Sequence, residues 1–134
     1  MTSPAPSTAP TLAARDAALL RLSLVIVWLA TALASALEAH GQSAALLAHA
    51  GVTSPAWAAL ALWSGVALDT VLGVLLGLRP RRAVFDIALG ATALMTVATT
   101  VLLPAMWLHP LGPLLKNLPI VAALVVLRRN ANAS

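Results

Sequence analysis

The chain has 134 residues, of which 60% are hydrophobic and 9% charged, with a mean hydropathy of +0.94. Soluble domains carry about 25% charged residues, so this composition excludes a water-covered globule and makes lipid the main solvent. The lack of cysteine excludes disulfides, thiolate nucleophiles, Cys-bound zinc and iron–sulfur clusters, and the net charge of +4 marks topology rather than nucleic acid, because the arginines lie at the ends of apolar runs.

Length allows one domain. Residues 1–14 are rich in Pro, Ser and Thr and are expected to form a disordered tail. A membrane domain is expected over 15–129, followed by a short tail, 130–134. The first apolar run extends from about Leu19 to Leu37. Arg15, Arg21 and the triplet Ala34-Ser35-Ala36 also fit a cleavable signal peptide, but the run is long for one, so a retained span is the expectation.

The segment from His40 to Pro55 is weakly amphipathic and is expected to lie along the membrane interface, with Gly51 ending it and Ser54-Pro55 opening the next span. The second apolar run covers about 56–78, the third about 83–103, stopped by Pro104, and the fourth about 111–127. Each approaches the ~20 residues needed to cross ~30 Å of hydrocarbon. The fold class is therefore all-α, a four-helix transmembrane bundle. With four crossings every arginine falls on one side, so both termini and the Arg79-Pro80-Arg81-Arg82 turn are expected to be cytoplasmic in a bacterial-type inner membrane. Trp57 and Trp107 suit an outer aromatic belt, and Trp28 and Trp63 suit internal packing.

Polar residues inside these runs mark a candidate site. Asp69 stands ten residues before Arg79, about 15 Å from that edge by helical rise. Gly65, Asp69, Gly73 and Gly77 recur every four residues on one helix face, so the glycines are candidates for close helix packing. The single lysine, Lys116, stands eleven residues before Leu127 in a Pro-rich stretch, about 15–17 Å from the same edge if its helix is continuous. An Asp69–Lys116 pair would compensate two costly charges; snorkelling of Lys116 toward Glu38, or its contact with lipid phosphates, are the alternatives. Asn117 can bond the carbonyl of Leu115, which Pro119 leaves without its helical partner. Asp86 follows Arg82 by four residues, an ion-pair spacing that Arg21 is close enough to join. Glu38 and His109 complete the candidate polar site. His40, His49 and His109 lack metal-ligand spacing, and neither a nucleophile–base arrangement nor a Gly-rich phosphate loop is present. No catalytic, metal or cofactor-binding residue is assigned.

Four stretches resemble the DoxX-like family of small four-helix membrane proteins. They are R-L-S-L-V-I-V-W-L from Arg21, L-L-A-H-A-G-V from Leu46, L-D-T-V-L-G-V-L-L from Leu68, and L-P-A-M-W-L-H-P-L-G-P-L-L-K-N-L-P-I from Leu103. The last is the specific one; Leu111 stands where the family has phenylalanine after His-Pro. Relatives include small subunits of a thiosulfate:quinone oxidoreductase and membrane components of oxidative-stress complexes, and some similar domains are fused to an NAD-binding domain. These associations hint at redox partners, while the DoxX-like branch itself has no established activity and lends no catalytic residue; the first expectation is an accessory or anchoring subunit of a membrane oxidoreductase system, with no cofactor of its own, quinone met through a partner, and no catalysis alone. Its partners would be the bilayer and a soluble oxidoreductase subunit, with room for a homo-oligomer. The competing expectations are a small-molecule or proton-coupled transporter and a purely structural bundle.

Overall fold

The structure, a computed structural model, describes residues 12–38, 41–108 and 114–133. All regular elements among them are helical: α1 (Ala14–Leu37), α2 (Gln42–His49), α3 (Pro55–Leu78), α4 (Arg82–Leu102) and α5 (Asn117–Ala133), with a 3₁₀ turn at Pro104–Trp107. Among the described residues the helices number five, because the segment expected along the interface coils into the short α2 beside the four long ones. Among them, α1, α3 and α4 are long and apolar enough to cross a membrane.

Local chemistry explains the boundaries. Gly51 adopts φ +89°, open to glycine at no steric cost. The Val52 N–H bonds the Leu47 carbonyl at 2.9 Å and the Gly51 N–H bonds that of Ala48 at 3.0 Å, the paired closure of a Schellman motif. Pro55 opens α3 in its first turn, where its missing N–H has no helical acceptor. The last helix starts at Asn117 rather than 111, and Pro119 gives the reason. A continuous helix from 111 would place this proline in the interior, whereas a start at 117 puts it among the first N–H positions, which bond nothing inside the helix. At its far end α5 continues through Arg128 and Arg129 to Ala133.

Helix α1 packs mainly along α3, and α4 along α5; the two pairs close on each other through α1–α5 and α3–α4 contacts. The dry core contains Leu24 and Trp28 of α1, Leu72 and Leu76 of α3, Val84, Phe85 and Ala88 of α4, and Leu124 and Leu127 of α5. It fills the half of the bundle nearer the arginines. Gly73 lets α3 approach α1: a Cβ there would stand 2.8 Å from Leu29 and 3.4 Å from the Trp28 Cβ. At Gly77 the nearest atom, on Val25, would be 3.7 Å away, and at Gly65 nothing lies within 4 Å. The close approach is thus concentrated at Gly73, and at Gly65 a side chain would point into open space. Trp28 is buried as expected of a packing residue, whereas Trp63 is 53% exposed and faces outward. Large apolar residues such as Leu22, Ile26 and Leu33 on α1 and Leu94, Val97 and Val101 on α4 also remain on the outside, a surface suited to lipid.

A polar cavity between the four long helices

The arginines mark one end of the bundle. The start of α1, the Pro80 turn and the end of α5 gather there around one groove, and Asp86 is bonded by Arg128 while Arg82 approaches it at 3.9 Å. The i,i+4 pair is therefore present, but its second cation is Arg128 from α5, not Arg21. Counting inward from this end, Thr31 follows Arg21 by ten residues, Asp69 precedes Arg79 by ten, Thr92 follows Arg82 by ten, and Asn117 precedes Arg128 by eleven. Helical rise places all four at one level, about 15–17 Å in.

At that level the helices part around a cavity of about 90 Å³. Trp28 and Thr31 line it from α1, Asp69 from α3, Thr92 from α4, and Lys116 and Asn117 from the start of α5. Three candidates from the sequence pattern, Asp69, Lys116 and Asn117, thus meet at one place. Asp69 is half-buried and Lys116 is exposed at the rim. Both residues line the cavity, yet neither side chain closes a hydrogen bond or ion pair among the described residues. The volume is room for about three water molecules at ~30 Å³ each, and is smaller than the ~150 Å³ that holds a benzene ring in an apolar cavity.

Asn117 behaves differently from expectation. Its Nδ2 donates to Thr96 Oγ1 on α4 at 2.9 Å. The Leu115 carbonyl accepts from the Leu118 N–H at 3.2 Å instead, so the tight turn before α5 already satisfies it. Thr96 belongs to a column that charge and hydropathy patterning does not single out. Thr92, Thr96 and Thr100 each donate to the carbonyl four residues earlier, at 2.8, 2.7 and 2.6 Å. This satisfies the hydroxyl protons and leaves the oxygens as acceptors. Trp107 Nε1 uses the next of them, donating to Thr100 Oγ1 at 3.1 Å. The column therefore holds both flanks of the Pro-rich segment, Trp107 before it and Asn117 after it. The four-residue spacing of the threonines is the signal that could have found them, since it puts them on one face.

Glu38 lies exposed at the C-terminal end of α1 and does not line this cavity. It makes no ion pair with Lys116. His40 and His109 lie outside the described residues. His49 bonds the Ala45 carbonyl through Nδ1 at 2.8 Å within α2.

Long apolar helices around a small, mostly apolar cavity that gathers an acid, an amine and an amide, with lipid-suited side chains outside, define a multi-pass helical membrane protein. The model of the DoxX-like family matches residues 25–125, which takes in the cavity-lining residues of every long helix, and the chain belongs to that family. None of the curated proteins and none of the solved structures compared with the chain matches it.

Proposed function

We propose that this DoxX-like protein is an accessory subunit of a membrane oxidoreductase system, seated in a bacterial inner membrane with both termini cytoplasmic. The observation that carries this reading is the convergence of Asp69, Lys116 and Asn117 on one cavity at mid-bundle depth. Maintaining an acid and an amine there is expensive in lipid, and a packing role alone would be met by the threonine column. The collection of arginines at one end supports the orientation, through their preference for the cytoplasmic side. From Arg128 inward to Asn117 helix α5 covers about 16 Å by helical rise, roughly half of the ~30 Å hydrocarbon core, and the fourth crossing is part of this proposal.

The cavity is water-sized, so a quinone ring would meet it from the open side, where Lys116 at the rim can donate to a ring carbonyl. The chain contributes orientation and charge, and the electrons come from a partner. Mild solubilisation of native membranes followed by affinity isolation tests this. A soluble dehydrogenase or sulfurtransferase is expected to be retained, and repeated isolation of the protein alone contradicts the proposal.

One observation favours a second reading, proton-coupled transport: Asp69 and Lys116 face the same water-sized space without closing on each other. Substrate-dependent proton flux in liposomes, lost in Asp69→Asn, would support it.

A further inference from the structure

A second concavity, of about 350 Å³, lies at the arginine end, away from the polar cavity. Ala14 and Ala18 of α1 form one side and Asn130 and Ala131 of α5 another, with Pro80 at the turn and the buried Phe85 and Leu127 beneath. Arg21 stands in its wall, half-buried among them. The carboxylate of Asp86 is already taken by Arg82 and Arg128. Arg21, Arg79, Arg81 and Arg129 form no ion pair among the described residues. A guanidinium at the edge of a membrane span, beside an apolar groove and with no carboxylate, has a vacant fork geometry suited to a phosphate.

We infer that this groove is a binding site for an acidic phospholipid, whose headgroup phosphate is held by Arg21 and whose glycerol and upper chain atoms lie against the alanine walls, over the phenylalanine and leucine beneath. Two observations select a lipid over a free anion or an acidic protein segment. Most of the groove lining is apolar, with Arg21 and Asn130 as its polar members, and a free phosphate cannot use an apolar wall. The same helices carry large exposed apolar side chains farther from this end, such as Leu22 and Ile26 on α1, so the groove stands at the edge of a surface suited to lipid. The surplus of arginines at this end supplies a long-range preference for anionic over zwitterionic headgroups. The site is independent of the oxidoreductase reading and requires only that the protein sits in a bilayer.

Native mass spectrometry of the full chain, released from nanodiscs of phosphatidylglycerol, phosphatidylcholine or an equal mixture, tests the site. One phosphatidylglycerol molecule is expected to survive activation that strips phosphatidylcholine. Arg21→Gln should weaken its retention by about tenfold, the effect of losing a charged hydrogen-bond donor, whereas Arg21→Lys should restore part of it. Ala18→Phe keeps every charge but fills the groove, and should also lose the lipid. Arg15→Gln removes an equal charge outside the groove and should change retention little. Inorganic phosphate at millimolar concentration should not compete. Equal retention of the two lipids, unchanged retention in Arg21→Gln or Ala18→Phe, equal loss in Arg15→Gln, or competition by free phosphate would each overturn the assignment. Circular dichroism of each variant identifies any that fails to fold; the Lys and Phe variants then decide the matter.

Discussion

Asn117 donates its side-chain amide to the hydroxyl oxygen of Thr96 at 2.9 Å, tying the first residue of α5 to the middle of α4. Around this bond the proline-rich segment is anchored twice, because Trp107 reaches Thr100 on the same helix face. The position of Lys116, next in sequence to Asn117, follows from that anchor.

The Asn117–Thr96 bond is open to a double-mutant cycle. Interhelical hydrogen bonds in membranes average ~0.6 kcal/mol in coupling, with a maximum near 1.7. Asn117→Leu and Thr96→Val should each destabilise the protein, and the double variant should cost less than their sum by about that amount. Reversible unfolding in mixed micelles measures it, and strict additivity would mean that the bond is not made.

The glycines of α3 should respond in a graded way. Gly73→Ala puts a methyl 2.8 Å from Leu29, whose side chain must move aside; Leu29 is partly exposed, so the cost should fall at the low end of the ~1–3 kcal/mol range of overpacking, about 1 kcal/mol. Gly77→Ala meets ordinary contact distance, and Gly65→Ala meets open space. There the gain in helix propensity, up to ~1 kcal/mol, should leave the protein neutral or slightly stabilised. Melting temperatures of the three variants in one detergent give the ranking.

Asp86→Asn should remove the contacts to Arg128 and Arg82 together. The pairs are substantially solvent-accessible, so the expected loss is at most about 1 kcal/mol. Arg82→Gln should have a smaller effect than Arg128→Gln, because Arg82 is at 3.9 Å and Arg128 is in direct contact. Unfolding midpoints at low and high salt check both statements, with the difference shrinking as salt rises.

Much of this arrangement is legible in the amino-acid sequence. The spacing of arginines around apolar runs locates the long helices, and depth counted from those arginines puts Asp69 and Lys116 at one level. Gly51 ends α2 and Ser54-Pro55 opens α3 because backbone constraints at glycine and proline are local. The features that are not legible depend on partners distant in sequence. Asp86 pairs with Arg82 by helical spacing, but Arg128 comes to it only when α4 and α5 pack. Asn117 has a local acceptor in Leu115 and a distant one in Thr96, and the tight turn before α5 removes the first. Gly65 and Gly73 are alike in sequence spacing, but only one lies where α3 meets α1.

Charge coupling across the cavity gives a further check. If Asp69 and Lys116 compensate each other, Asp69→Asn and Lys116→Gln should each leave one charge uncompensated in the bundle. The double variant should then be expressed and folded better than the worse single one. Quantitative membrane expression and melting temperature both serve as readouts.

The most direct measurement uses the natural absence of cysteine. Paired Asp69→Cys and Lys116→Cys substitutions can be treated in native membranes with a short bis-methanethiosulfonate linker, beside the control pair Asp86→Cys and Arg128→Cys. If the acid and the amine share one cavity, both pairs should cross-link within a single chain. Efficient linking of the control with none between positions 69 and 116 would contradict it.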